Sequence, residues 1–314
     1  MRRRTLIWLP LAAACKRSRK RRIAVIPKAV SHLFWVSVET GARAAGKDFG
    51  VEILWNGPAL ESDFPRQIQI VDSMIAQRVD GIAIAAAERQ ALVASIERAH
   101  QAGIPVTIFD SGADTEQYLS FIATDNVLAG KLAARKMASL LGGKGKVAMI
   151  LHAPGSFSTM DRERGFKQAR DTEFPEMAIV AEQFGMSDRA KARDVTENIL
   201  SANPGVDAIF CSTEPSATGA LLALEARGLA GKVKVVSVDS SENLVELMKQ
   251  DKIHALVAQD PFGMAYKAVE SLVSKLEGRT PPRRVDMEPR VIVKADLESP
   301  EVIRLLQPDI AKYR

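Results

Sequence analysis

The sequence predicts an α/β fold of two similar lobes, each built on a parallel sheet with helices on both faces. Three observations lead to this fold class. Short apolar runs alternate with amphipathic stretches along almost the whole chain, the runs are apolar throughout, and the alternation occurs as two successive series. Behind a distinct N-terminal segment about 290 residues remain, which is long for one domain and sufficient for two lobes.

The first series contains five predicted strands, and helices of 3.6-residue periodicity separate them. The strands are Ile23–Ile26, Val51–Trp55, Gly81–Ala85, Pro105–Phe109 and Phe121–Ala123. The helices are Val36–Ala45, Asp63–Gln77 and Arg89–Ala102. A continuous apolar strand between amphipathic helices indicates a sheet that is covered on both faces.

The second series repeats this pattern. Its strands are Lys146–Leu151, Ala178–Gln183, Ala208–Cys211, Val233–Val238 and Ala255–Ala258. Its helices are Val127–Leu141, Asp161–Thr172, Ala190–Ala202, Ser216–Arg227, Ser241–Gln250 and Gly263–Leu276. Two series of the same kind predict two lobes of similar architecture.

Residues 1–22 form a different kind of segment, which we interpret as a lipoprotein-type signal and basic tether. They hold nine basic residues and no acidic one, around an apolar stretch, Leu6–Ala14, that is too short to span a bilayer. The sequence Leu11–Cys15 resembles a bacterial lipobox, which would lipidate Cys15, although the leucine lies one place too far from the cysteine. Residues 16–22 would then tether the protein to an envelope membrane, and a soluble periplasmic form is the alternative.

The charge of the chain depends on this segment. The net charge of +5 includes the nine positive charges of residues 1–22 and leaves −4 for residues 23–314. The high isoelectric point therefore does not indicate nucleic-acid binding. The second cysteine, Cys211, lies in an apolar run and is predicted to be a buried, inert thiol.

Two aspartates follow predicted strands at equivalent places in the two series. Asp110 comes after Pro105–Phe109 and Asp239 after Val233–Val238. Ligands of open α/β sheets bind beyond the carboxyl ends of the strands, and a carboxylate accepts hydrogen bonds from vicinal hydroxyl groups. Taken singly, each aspartate could equally be a helix cap or turn former. Asp125 is predicted to cap the helix that starts at Val127.

A series of short motifs occurs in the order typical of one family. They are Ile82-Ala83-Ile84, Ala102-Gly103-Ile104-Pro105-Val106, Phe109-Asp110-Ser111, Ile122-Ala123-Thr124-Asp125-Asn126, Arg162-Glu163-Arg164-Gly165-Phe166, Ser237-Val238-Asp239 and Ala258-Gln259-Asp260-Pro261. Together they resemble the ribose-binding type of periplasmic binding protein, the receptor of sugar ABC transporters. The lactose-repressor family shares this core, but it begins with a DNA-reading helix-turn-helix where this chain has an export signal.

This resemblance implies two Rossmann-like lobes of the periplasmic binding protein-like I fold, joined by three crossovers, with one sugar site in the cleft. Residues 23–124 with 260–286 would form the N-terminal lobe, residues 125–259 with 287–299 the C-terminal lobe, and residues 300–314 a C-terminal tail. Hinges are expected near Thr124-Asp125, Gln259-Asp260 and Asp286–Pro289.

The resemblance also assigns roles to individual side chains. Phe34 and Trp35 would lie against the C–H face of the sugar, although at a strand-to-helix junction they could equally fill core. Arg162 would donate to sugar oxygens and offset the two aspartates, and Gln259 would supply an amide. The remaining expected contacts are Thr213, His32, which could also be ordinary polar surface, and Lys28, because Ile26-Pro27-Lys28 resembles receptors for a furanosyl quorum signal.

Several positions differ from the ribose receptor and leave the identity of the sugar open. Ala86 and Thr213 replace asparagines, Ser111 replaces an arginine, and the aromatic of the second lobe is replaced near Met186-Ser187. Fewer amide donors and one lost stacking wall predict a different hydroxyl pattern. The predicted ligand is a monosaccharide or a related small polyol.

The predicted function is transport reception, in which a monomeric receptor delivers the ligand to an ABC transporter permease. A receptor that feeds a chemotaxis or sensor-kinase partner would use the same binding physics. An enzyme that uses Asp110 and Asp239 as paired carboxylates is the third hypothesis. The sequence has no zinc-type His-Glu-x-x-His, no Gly-x-Ser-x-Gly and no complete phosphate loop, so we predict no catalysis, cofactor or metal.

Overall fold

The computed structural model describes residues 19–306, and the predicted lipidation of Cys15 lies outside these residues. The strands of the first sheet are β1 (Arg22–Ile26), β2 (Glu52–Trp55), β3 (Gly81–Ile84), β4 (Val106–Phe109), β5 (Ser120–Thr124) and β11 (Arg284–Met287). Those of the second are β6 (Gly145–Leu151), β7 (Met177–Phe184), β8 (Ala208–Cys211), β9 (Lys234–Val238), β10 (Ala255–Ala258) and β12 (Arg290–Ile292).

The described residues contain ten α-helices, of which nine connect strands and the tenth follows β12. They are α1 (Leu33–Asp48), α2 (Phe64–Ala76), α3 (Val93–Gln101), α4 (Asn126–Leu141), α5 (Phe157–Glu173), α6 (Arg189–Ala202), α7 (Glu214–Ala226), α8 (Glu242–Lys249), α9 (Pro261–Leu276) and α10 (Pro300–Leu306). No helix of residues 19–306 is long and apolar enough to cross a membrane.

The two sheets have the same strand order, which confirms the predicted pair of α/β lobes. The first runs β11-β5-β4-β3-β1-β2 and the second β12-β10-β9-β8-β6-β7. Neighbouring strands are parallel, except that β12 pairs antiparallel to β10. Apolar side chains cover both faces of each sheet, so each lobe has a core on either side.

The chain passes between the two sheets three times. Strand β5 belongs to the first sheet, whereas α4, which follows it, packs on the second. Strand β10 belongs to the second sheet, whereas α9 packs on the first, and β11 and β12 lie in different sheets. These passages give the lobes three connecting segments, and the carboxyl ends of the strands in both sheets face one cleft between them.

The structure changes two details of the sequence interpretation. The basic segment interpreted as a tether reaches into the fold, because Arg22 begins β1 and its backbone N–H donates to the Asp80 carboxylate at 2.7 Å. The C-terminal tail contains α10, whose Val302 is fully buried against Ala258 and Ile292.

Two other predictions are confirmed. The Asp125 carboxylate accepts the Leu128 N–H at 2.9 Å and caps α4. Cys211 is buried in β8, has no disulfide partner among the described residues, and has a pKa raised by burial. The thiol therefore stays protonated and unreactive.

Candidate functional site

All nine predicted binding residues line one cleft between the lobes. They are Lys28, His32, Phe34, Trp35, Asp110, Arg162, Thr213, Asp239 and Gln259. Most of them follow a strand or begin a helix, so the fold gathers them at the carboxyl ends of the strands, which face each other across the cleft. The cleft also includes Glu61, His152 and Ser187, which were not predicted as ligand contacts.

Asp110 and Asp239 occupy matching places in the two lobes, directly after β4 and β9. Both have left-handed backbones, with φ of 57° and 72°. Their N–H groups donate across the sheet to the carbonyls of Ile122 and Val257, at 2.9 and 3.0 Å. Neither aspartate caps a helix: the next helix after Asp110, α4, is capped by Asp125, and the next helix after Asp239, α8, is capped by Ser241. Strained corners of this kind occur where a side chain must be held in a set direction.

Lys28 links the Asp110 carboxylate to the second lobe. Its ammonium group lies 3.7 Å from the Asp110 carboxylate and donates to the hydroxyls of Ser156 and Ser158 at 3.0 and 3.2 Å. Burial raises the pKa of Asp110, the charges of Lys28 and Arg162 oppose this, and the nearby carboxylates add to it. Asp110 is therefore a carboxylate whose charge is only partly compensated by the protein.

Arg162 compensates the aspartate of the second lobe. Its side chain is 3% exposed, and its Nη1 lies 3.7 Å from the Asp239 carboxylate and donates to the Ser212 carbonyl at 3.1 Å. Its Nε donates to the Asn126 amide oxygen at 2.8 Å. Contacts on both sides hold the guanidinium in one orientation toward the cleft.

Gln259 ties Asp239 to one of the segments that connect the lobes. Its amide nitrogen donates to the Asp239 carboxylate, and its amide oxygen accepts the Thr124 hydroxyl at 2.7 Å. Thr124 ends β5, where the chain passes to the second lobe. The amide therefore joins the ligand cleft directly to a connecting segment.

Glu61 and His152 form a contact between the lobes that sequence reasoning missed. One Glu61 oxygen accepts the Trp35 indole N–H at 3.0 Å, and the other lies 3.0 Å from His152 Nε2. His152 Nδ1 is 3.4 Å from the Thr213 hydroxyl. Burial raises the pKa of Glu61, but the hydrogen bond with His152 and the nearby positive charges outweigh it and leave the pKa well below its usual range.

The two missed residues differ in how they could have been found. His152 directly follows β6, so the rule that singled out Asp110 and Asp239 applies to it as well. Glu61 lies in the loop between β2 and α2, away from any strand end, and no local pattern marks it. Only the fold brings this loop against Trp35.

The two adjacent aromatics differ in exposure. Trp35 is 2% exposed, packs in the core of the first lobe and uses its indole N–H on Glu61. Phe34 is half-buried and meets Trp35 edge-on, with ring centroids 4.9 Å apart. Phe34 therefore offers the larger surface to the cleft, and Trp35 supports it from behind. His32 is half-buried and precedes α1, and its side chain does not cap the helix.

The family of the chain follows from this fold and cleft. Residues 23–280 match the family model described as a periplasmic binding protein domain. The chain belongs to this family, and within it to the ribose-type sugar-binding proteins.

Particular relatives agree with this assignment. The D-ribose/D-allose-binding protein of Pseudomonas aeruginosa is 30% identical over 288 residues, which cover 89% of this chain and 90% of that protein. An ABC transporter solute binding protein from Agrobacterium vitis, bound with alpha-D-tagatopyranose, is 31% identical with a TM-score of 0.88, covering 91% of this chain and 99% of that one. A second ABC transporter solute binding protein from Agrobacterium vitis, with bound D-fucose, is 34% identical with a TM-score of 0.87, and the match again covers 91% of this chain and 99% of that one.

Proposed function

We propose that this protein is an extracytoplasmic receptor that closes its two lobes around a monosaccharide or related small polyol and delivers it to an ABC transporter permease. The observation that carries the proposal is the pair of aspartates, Asp110 and Asp239. One comes from each lobe, both are held on left-handed corners, and both face the same cleft. A ligand that bonds to both carboxylates favours the closed arrangement, because only that arrangement satisfies both contacts.

The polar groups of the cleft are suited to a neutral polyol. Asp110 and Asp239 can each accept hydrogen bonds from neighbouring hydroxyls, while Arg162 and Lys28 can donate to hydroxyl or ring oxygens. Three cations, Lys28, Arg162 and Arg189, and four carboxylates, Glu61, Asp110, Glu214 and Asp239, line the cleft, so its fixed charges nearly cancel. A strongly charged ligand would upset this balance, whereas a sugar leaves it intact.

Phe34 supplies the apolar part of the proposed site. The C–H face of a sugar ring packs on an aromatic ring, and this contact excludes water from the hydrogen bonds beside it. Trp35 supports Phe34 from the core, so we expect it to contribute less directly.

The proposed location and partners rest on the N-terminal sequence and on the relatives. The relatives include ABC transporter solute binding proteins, and the signal-like segment favours export with lipidation of Cys15. We propose a monomer at an envelope membrane that works with a permease and binds no nucleic acid. Replacing Cys15 with serine should abolish metabolic labelling with a lipid precursor, and persistent labelling would contradict the anchor.

A thermal-shift screen tests the ligand class. Neutral pentoses, hexoses, deoxysugars and polyols should include at least one that raises the melting temperature, because a ligand that binds only the folded state stabilises it by mass action. Calorimetry should then give one site per chain. Binding confined to amino acids, peptides or nucleic acid would contradict the proposal, and conversion of the sugar during incubation would favour the enzyme hypothesis.

A further inference from the structure

The wall of the cleft contributed by the second lobe contains a buried hydroxyl without a partner. The Ser187 Oγ is shielded from solvent and makes no hydrogen bond to any of residues 19–306. Ser187 lines the same cleft as Asp110 and Asp239. Buried side-chain hydroxyls are normally hydrogen-bonded, so an unsatisfied one in a ligand cleft indicates a group that the ligand itself satisfies.

The backbone around Ser187 is arranged in an uncommon way. Met186 and Ser187, between β7 and α6, both have φ of 56°, in the left-handed region that is costly for residues with a side chain. The turn is fixed on both sides: the Gly185 N–H donates to the Leu151 carbonyl at 2.8 Å, and Asp188 caps α6. The left-handed backbone of Met186 and Ser187 and the hydrogen bonds on both sides of the turn therefore fix the position of the Ser187 side chain.

The distribution of polarity in this turn is the reverse of the usual one. The apolar Met186 side chain is 43% exposed, whereas the hydroxyl oxygen of Ser187 is enclosed. Hydrophobic burial alone would favour the opposite arrangement. The turn therefore presents a polar atom to the cleft and places the methionine away from it.

We propose that Ser187 hydrogen-bonds the ligand and selects sugars that carry a polar substituent on the face turned toward the second lobe. This proposal rests on the proposed sugar-receptor function and narrows it. Phe34 belongs to the first lobe, whereas Ser187, His152 and Thr213 belong to the second lobe and line the same cleft. In the proposed complex one face of the sugar ring packs on Phe34 and the other meets these polar groups. The selected class is sugars with one C–H face and one hydroxyl-bearing face.

The test compares two variants that remove the hydroxyl in different ways. Ser187→Ala keeps the Cβ atom on the strained backbone, whereas Ser187→Gly also relieves the strain, since glycine adopts positive φ freely. Each should raise the Kd of the tightest-binding sugar about tenfold, the effect of one buried hydrogen bond. Ser201→Ala, which removes an exposed serine of α6, is the control and should bind as wild type does.

Monodeoxy analogues of the same sugar identify the bonded hydroxyl. One analogue should bind wild type about tenfold more weakly than the parent sugar, yet bind wild type and both Ser187 variants equally, because the contact is already missing. Wild-type affinity for the parent sugar in both variants, or in Ser187→Gly alone, would overturn the hydroxyl contact and leave the receptor function standing. Failure of wild type to bind any sugar would overturn both proposals.

Discussion

Asp110 shows at the level of one residue how binding and stability oppose each other. The pKa of Asp110 is higher in the folded protein than in the unfolded chain. Ionisation of this carboxylate therefore destabilises the folded state relative to the unfolded state. The cost is full above the folded pKa, declines as the pH falls through that pKa, and is absent below the ordinary pKa of the unfolded chain. The carboxylate is retained although it destabilises the ligand-free protein, as expected of a group that serves binding.

Replacing Asp110 with asparagine should therefore stabilise the ligand-free protein and weaken binding. Asparagine has the same shape, tolerates the left-handed backbone and removes the buried charge. We expect the melting temperature to rise, by roughly 2–4 °C for each kcal/mol gained, and the affinity for the sugar to fall about thirtyfold, or about 2 kcal/mol.

The control for this variant is Asp63→Asn, in the same lobe. Asp63 caps α2, and asparagine caps as well as aspartate, so stability and binding should both stay near wild type. A destabilised Asp110→Asn with wild-type affinity would show that this carboxylate supports the fold and not the ligand.

His254, beside β9 and outside the cleft, should make the protein sensitive to mild acid. Burial and the charge of Lys234 lower its pKa from 6.5 to about 4. The Val235 N–H donates to its Nδ1 at 3.2 Å. Between these pKa values the unfolded chain binds a proton that the folded chain does not, so stability falls as the pH drops from about 6.5 to about 4.

We expect His254→Asn to flatten the decline of the melting temperature across this window without changing sugar affinity at neutral pH. His100→Asn, at an exposed position on α3, should leave the decline unchanged. The measurement is thermal unfolding at intervals of half a pH unit. A decline as steep in His254→Asn as in wild type would assign the acid sensitivity to other groups.

At the level of elements, the helix starts show what the sequence could and could not predict. Helices α2, α4, α6 and α8 begin close to the predicted positions, because aspartate or serine side chains cap them. Helices α1, α5, α7 and α9 begin two to four residues earlier than predicted. Asp260 caps α9, whereas His32, Ser156 and Thr213, which precede the other three, make no capping bond.

Those uncapped starts lie at the cleft. The Ser156 hydroxyl accepts from Lys28, and the Thr213 hydroxyl lies beside His152. The side chains at these helix starts contact residues that are distant in the sequence and do not form the capping hydrogen bonds that would mark the helix boundary. A local capping pattern therefore fails where residues serve the site instead.

The edge strands were missed for another reason. Strands β11 and β12 are short, and β11 has the charged and partly exposed sequence Arg284–Met287. An apolar run of the kind that identified the other ten strands is absent from β11, and at β12 it has only three residues, Val291–Val293. Both strands depend on pairing with β5 and β10, which a local pattern cannot reveal.

The close packing of α4 on α5 should be needed to place Arg162. A Cβ atom on Gly130 would overlap the Arg162 carbonyl oxygen and the Phe166 nitrogen. Gly130→Ala must therefore push α5 away, and we expect a loss of about 1–3 kcal/mol in unfolding free energy together with at least tenfold weaker binding.

Gly46→Ala is the matched control. Its Cβ would lie 2.5 Å from Cγ1 of Ile53, at the far end of α1 from the cleft, so it should lower stability and leave affinity unchanged. Chemical denaturation and calorimetry on both variants separate the two effects. Weaker binding in Gly46→Ala as well would show that affinity merely follows stability.

At the level of the whole molecule, direct contacts already join the two lobes. Besides Lys28 with Ser156 and Ser158, these are Glu61 with His152 and the Arg89 N–H donated to the Gly155 carbonyl at 2.9 Å. These contacts stabilise the arrangement in which the two lobes approach each other. The affinity of a closing receptor increases with the fraction that is closed beforehand.

Removal of Glu61 should shift the ligand-free protein toward the open form. For Glu61→Ala we expect a larger radius of gyration by small-angle scattering without sugar, an unchanged radius at saturation, and an affinity lower by about tenfold. Glu39→Ala, which removes a carboxylate paired with Arg43 on the surface of α1, is the control. Equal radii for free and saturated wild type, with occupancy confirmed, would argue against hinged closure.

The buried thiol of Cys211 also makes the protein convenient for optical sensing. A chain that starts at residue 19 contains no other cysteine, and this one is enclosed in β8. A maleimide dye would therefore react almost only with a cysteine introduced on purpose. Leu33, 51% exposed at the lip of the cleft, is a suitable position, because a fluorophore attached there would sense the approach of the opposite lobe as sugar is captured.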